Sequence, residues 1–270
     1  MSVNRRQFLK RAGALTALGL GGSFVLTGIR GKIADAASQT PSYQKQKQGL
    51  VAKHWAMVVD MSKFKTEEDI ERVIQSCDTI HNIPDFGNKK DEIKWIWKDD
   101  FEHTFTESKN EYLTENFKEL PFMIMCNHCE NPPCVKACPT GATFKRADDG
   151  IVMMDYHRCI GCRFCMGACP FGARSFNYRD PKPHIKTINP DFPTRTIGVV
   201  EKCTFCVERL EKGLKPACVE ASKGGLIFGD LDDTNSEVRK IISSKFTIRR
   251  KSELGTQPSV YYLVGGEESV

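Results

Sequence analysis

The sequence predicts an α+β protein folded around its cysteines, and three observations predict it. Twelve cysteines stand in 270 residues, most of them in short groups. Two groups repeat one pattern: Cys126-Asn-His-Cys129 with Cys134 and Cys138-Pro139-Thr-Gly141-Ala142 is echoed by Cys159-Ile-Gly-Cys162 with Cys165 and Cys169-Pro170-Phe-Gly172-Ala173. Around them, short apolar or β-branched runs alternate with segments of helical spacing. The 40% hydrophobic content is ordinary for a soluble globular chain, long enough for one generous domain or two small ones.

Residues 1–36 read as a twin-arginine export signal. A basic stretch with Arg5-Arg6-Gln7-Phe8-Leu9-Lys10 precedes an apolar stretch from Ala12 to Ile29 and a small-residue cleavage site, Ala34-Asp35-Ala36. The apolar stretch is rich in Gly, Ala and Thr, which suits a transient signal better than a retained anchor. The formal charge of +5 arises here, because residues 37–270 hold 33 basic and 33 acidic side chains. That balance gives no ground for nucleic-acid binding. The expected location is the periplasm or the outer face of the cytoplasmic membrane, peripheral through partners, since no later segment approaches a membrane span.

Residues 37–54 form a polar linker with Gln39, Gln44, Gln46 and Gln48. The folded, cysteine-bearing body is expected over 55–265, with an insertion at 78–120. Trp55 to Met61 predicts a strand. Thr66 to Cys77 predicts a helix, with Thr66 as N-cap, Glu67, Glu68 and Asp69 in the first turn, and Ile70, Val73, Ile74 and Cys77 on one face. Residues 78–120 hold no cysteine and carry Phe86, Trp95, Trp97, Phe101, Phe105, Tyr112 and Phe117 among charges. They read as an insertion packed over the core, with a partner-docking patch as the other reading of the aromatics. Ile151 to Asp155 predicts a short strand, Phe171 to Val200 a long surface connection, and Leu226-Ile227-Phe228 and Val260-Tyr261-Tyr262-Leu263 apolar strands.

The second cysteine group has the spacing C-x2-C-x2-C-x3-C-P, the bacterial ferredoxin pattern for a [4Fe-4S] cluster. Two-residue gaps let a tight loop bring three thiolates to three corners of a cube with backbone amides facing the sulfurs. The fourth cysteine faces a second cluster, and the proline after it has no amide to leave unpaired. The two quartets are therefore expected to exchange fourth ligands. Cys126, Cys129, Cys134 and Cys169 hold cluster one; Cys138, Cys159, Cys162 and Cys165 hold cluster two. A single C-x2-C would also suit structural zinc or a disulfide, so a non-redox scaffold is the reading from another class.

Together with Cys203-Thr-Phe-Cys206 and Pro216-Ala-Cys218-Val, these motifs resemble the four-cluster ferredoxin subunits of respiratory oxidoreductases, the dimethyl sulfoxide reductase iron-sulfur subunit family. The match runs from about Trp55 to Leu263. Two departures stand out. Ser222 occupies the place of the last cysteine of the third group, and Glu67, Ile70 and Val73 occupy the first three places of an N-terminal motif whose fourth is Cys77. The family's exchange rule makes those missing four one complete cluster. What the resemblance then implies is a third cluster on Cys77, Cys203, Cys206 and Cys218, three [4Fe-4S] clusters in all, and a fold of tandem bacterial-ferredoxin-like units with insertions.

The pattern also resembles the exported iron-sulfur subunit of the heterodisulfide-reductase-like, menaquinol-oxidising complex of sulfate reducers. That resemblance implies a polytopic quinol-interacting membrane subunit and a multihaem cytochrome c as partners. The alternative is an exported molybdopterin oxidoreductase of polysulfide, tetrathionate or dimethyl sulfoxide type, with a molybdopterin subunit as partner. Either way the chain is expected to be a non-catalytic electron-transfer subunit with no small-molecule substrate of its own, as no catalytic constellation is present. His128 is expected to be a hydrogen-bonding neighbour rather than a ligand. Lys136, Lys145, Arg146, Arg158, Arg163, Arg174 and Lys202 flank the motifs, where positive charge favours a reduced cluster, though a solvated surface accounts for most of them.

Overall fold

A computed structural model describes residues 48–64, 66–108, 111–114 and 121–263. The expected signal at 1–36, most of the linker at 37–54, Phe117 and the last residues of the expected body lie outside them.

The first strand, β1 (Trp55–Asp60), is apolar at almost every position because both its faces are covered. Trp55, Met57 and Val59 enter the main core, while Ala56 and Val58 meet Val238 on the opposite side. The strand stops one residue short of the sequence expectation, and Met61 begins a single 3-10 turn. Helix α1 (Glu67–His81) follows its N-cap Thr66, whose amide donates to Asp69 Oδ2 at 3.4 Å. It runs a turn beyond Cys77 and buries Ile70, Val73, Cys77 and His81 along one stripe. Asn82, left-handed at φ 54°, ends it.

Within 78–114, β2 (Ile96–Asp100) leads into the short α2 (Phe101–Thr104) and pairs antiparallel with β3 (Pro121–Met125), the strand that delivers Cys126. Trp95, Phe101 and Phe105 are buried, so packing is the structural fate of these aromatics; Tyr112, 86% exposed, is the exception. The two cysteine quartets each carry one helical turn, α3 (Pro133–Lys136) and α4 (Phe164–Gly167), and these turns pack together. Between the quartets lies the hairpin of β4 (Thr143–Lys145) and β5 (Val152–Met154).

The segment 171–200 differs from the surface connection expected. It forms β6 (Ser175–Phe176), paired with β7 (Val200–Glu201), and it buries Asn177, Phe192 and Arg195. Arg195 Nε meets Glu201 at 2.7 Å with both side chains fully buried, and Trp95 Nε1 donates to the same carboxylate at 2.9 Å. A buried ion pair needs further hydrogen bonds to offset its desolvation; Arg195 supplies them by donating to the His81 and Asn82 carbonyls. No apolar period foretells such a contact.

After β7 come α5 (Val207–Leu210) and α6 (Ala217–Ala221), the latter packed on α1. The described residues end with β8 (Leu226–Asp230), α7 (Glu237–Ser244), β9 (Thr247–Ile248) and β10 (Val260–Leu263). The mixed sheet has the order β8-β1-β10-β9, with β1 and β10 parallel. Among the described residues no helix is long and apolar enough to cross a membrane.

Candidate metal centres

The structure gathers the cysteines into three sets of four. Cys126, Cys129, Cys134 and Cys169 line one cavity, whose walls are largely Pro132, Pro133, Val152 and Phe171. Cys138, Cys159, Cys162 and Cys165 line a second, closed by Met154, Ile160 and Val200. In the third set, α1 presents Cys77 to Cys203, Cys206 and Cys218; burial first, then these three thiols, push Cys77 far above an ordinary thiol. None of the twelve is in a disulfide.

The repeat in sequence is a repeat in geometry. Cys138, just past α3, accepts Thr143 N–H at 3.4 Å and is also faced by Thr140 and Ala142; Cys169, just past α4, is faced by the amides of Phe171 and Ala173. Burial opposes the Cys138 thiolate, but these donors outweigh it and bring the thiol down to about 7. Elsewhere burial wins: Cys129, also repelled by Cys126, rises to about 12, Cys218 rises to about 12, and Cys203 and Cys206 rise as well. Phe205 N–H points at Cys203 Sγ at 3.5 Å. Sets of four converging thiols, two of them around cavities lined largely by apolar groups, with amides aimed at sulfur, are a donor chemistry that fits [4Fe-4S] clusters. Thiols held this high release protons on metallation.

His128 is buried, accepts Val152 N–H at Nδ1 (3.1 Å) and stacks on Phe205 with centroids 3.7 Å apart, so its role is structural. Lys145, Arg146 and Arg158 form ion pairs with Glu130, Asp149 and Asp155. The solvated reading fails for Arg174 and Lys202, 5% and 0% exposed. Lys202 Nζ donates to the carbonyls of Val152 and Cys203. Sequence reasoning also missed His81, whose Nδ1 lies 3.4 Å from Cys77 Sγ and whose Nε2 meets Glu208 at 3.0 Å. Its place one helical turn after Cys77 was the available signal.

The fold and these thiol sets define an iron-sulfur protein of the electron-transfer class. A model of the 4Fe-4S dicluster domain matches residues 119–184. The chain is 39% identical to the Hdr-like menaquinol oxidoreductase iron-sulfur subunit 1 of Archaeoglobus fulgidus, over 98% of this chain and all of that one. It is 35% identical to a subunit of the tetrathionate reductase of Salmonella typhimurium, over 97% of this chain and 89% of that one. It is 36% identical to the menaquinone reductase iron-sulfur cluster-binding subunit of Nitratidesulfovibrio vulgaris, over 77% and 88% respectively. The chain belongs to this family of iron-sulfur subunits of respiratory oxidoreductases, and it works as an electron-transfer subunit that holds [4Fe-4S] clusters.

Proposed function

We propose that the chain is a three-cluster relay. Cys126, Cys129, Cys134 and Cys169 hold the first [4Fe-4S] cluster, Cys138, Cys159, Cys162 and Cys165 the second, and Cys77, Cys203, Cys206 and Cys218 the third. The observation that carries the count is the convergence of all twelve thiols into three sets with none left over. The clusters supply one-electron transfer; the chain spaces them, keeps water out and sets their surroundings.

The order of the sets along the relay follows from which thiols are neighbours. Cys165 of the second set lies beside Cys134 of the first, and Cys203 of the third beside Cys126 of the first. The first set is thus the middle. The second set is the end nearer solvent: Cys138, Cys159 and Cys162 are only half-buried, and Ile160 and Phe164, among the ligands, are 67% and 63% exposed. That end is the one we assign to a redox partner.

The finer reading is a subunit at the outer face of the cytoplasmic membrane, exported through Arg5-Arg6. It passes electrons between a polytopic quinol-interacting subunit and a multihaem cytochrome c in a sulfate reducer. Its support is the full-length similarity to the subunit named for a menaquinol oxidoreductase. The similarity to the tetrathionate reductase chain supports the second reading, in which the partner is a molybdopterin subunit. Copurification with a haem-staining cytochrome or with a molybdopterin protein separates the two.

The test of the relay is iron and acid-labile sulfide per chain on anaerobically purified protein. About twelve of each is expected from three four-iron sites. Eight would leave one of the three sets empty and break the count of three, and zinc without iron would favour a non-redox scaffold.

A further inference from the structure

Arg174 follows the second quartet's Cys-Pro-Phe-Gly-Ala turn and is buried where one thiol set meets the next. Its Nη1 donates to Thr143 Oγ1 at 3.1 Å and lies 3.8 Å from Met154 Sδ. Its Nη2 has no oxygen or nitrogen partner, and no carboxylate pairs with the guanidinium among the described residues. The guanidinium also lines the cavity of the first set. Met154, against its Nη1, lines the cavity of the second set, and a guanidinium stays charged at any ordinary pH. A buried cation without an anionic side chain is costly unless something else negative stands beside it. A cluster with four thiolates is anionic and gains a further negative charge on reduction, so it supplies the missing counter-charge.

We propose that Arg174 is an electrostatic tuning residue shared by two neighbouring clusters. Its guanidinium, fixed between the two cavities, favours the reduced form of both. Cluster potentials respond to charge, hydrogen bonding and solvent exposure, and Arg174 provides a fixed charge in a buried position where Coulombic interactions are weakly screened. Arginine suits the position better than lysine, because its planar fork can face a sulfur on each side while one nitrogen stays anchored on Thr143. The third set lies beyond the first and is not in contact with this guanidinium.

The inference rests on the ligand sets proposed above, and its test uses the full-length protein purified without oxygen. Arg174→Gln removes the charge while keeping a donor for Thr143; Arg174→Lys keeps the charge. Redox titration followed by electron paramagnetic resonance reads each cluster separately, with iron content measured alongside. In Arg174→Gln, two potentials are expected to fall and the third to hold, at full iron content, whereas Arg174→Lys stays closer to wild type at those two. A fully loaded Gln variant with all three potentials unchanged, or with all three lowered alike, overturns the inference. If the Gln variant loses iron, the Lys variant decides: full loading near wild-type potentials supports the electrostatic role, and iron loss or an equal fall there overturns it. A wild-type protein with fewer than two clusters overturns the ligand sets instead.

Discussion

Ser222 stands where the resemblance would place a thiol, and its hydroxyl is committed elsewhere: it donates to Val219 O at 2.7 Å and accepts Leu226 N–H at 2.9 Å. The hydroxyl therefore fixes the turn between α6 and β8. Ser222→Ala is expected to keep every iron while losing about 1 kcal/mol of stability, the net worth of a buried hydrogen bond. Cys77→Ala is expected to do the reverse at the metal, losing about four of twelve irons; iron assay of both variants checks the pair, and full iron in Cys77→Ala would end the third ligand set. The two quartets were legible because ligand spacing within a loop is a local property that sequence records directly. Cys77 was legible only through the family's exchange rule, as nothing within α1 itself marks a thiol 126 places before Cys203 as its partner. Arg174 and Lys202 could not be told from their solvated neighbours in the sequence, because a charged residue beside a motif looks the same whether its side chain turns out to water or in toward sulfur.

At the scale of elements, the legible parts are those with a period or a cap. Helix α1 showed both, and β1 and β10 showed continuous apolar runs; the two-residue strands β6 and β7 showed neither, since each is defined by a partner distant in sequence. The loop between Cys159 and Cys162 depends on Gly161, which has φ 70° and whose missing side chain leaves room for the Gly198 carbonyl. A methyl there would collide with backbone and strain a left-handed residue. Gly161→Ala is thus expected to lose the second cluster selectively, read as about four fewer irons with the other two signals retained. The end of α1 carries Asp78, whose carboxyl is raised to about 7, first by burial and then by Glu71, Glu92 and Asp85, against the opposing Lys186. Its place near the negative end of the helix dipole acts in the same sense. In the unfolded chain the group titrates near 4, so between about pH 4 and 7 the folded state holds a proton that the unfolded state has released. The stabilisation is full below about 4, falls as pH rises through that window, and is lost above about 7, a change of about 4 kcal/mol. Asp78→Asn should match wild type at low pH and exceed its thermal midpoint at pH 8; equal midpoints at pH 8 would contradict the raised carboxyl.

Across the described body, parallel β1 and β10 bring residues 55–60 and 260–263 together, and α1 is pressed against α6, which carries Cys218. That closure places the third set deep in the body while the second set stays near solvent, a gradient of burial that no local motif contains. It also makes the first set the middle of the line, beside the second through Cys134 and Cys165 and beside the third through Cys126 and Cys203. Magnetic interaction between reduced clusters falls with separation, so the line has a spectroscopic consequence. Removing an end must leave one interacting pair, whereas removing the middle must leave two isolated centres. Cys77→Ala, reduced fully, is expected to keep an interaction spectrum from the first and second sets. Cys129→Ala, which deletes a ligand of the first set, is expected to show two narrow, non-interacting signals and to lose electron passage from end to end. If Cys129→Ala kept the interaction while Cys77→Ala lost it, the third set would be the middle and the first set an end, with the solvent-facing second set, beside Ile160 and Phe164, still the other end.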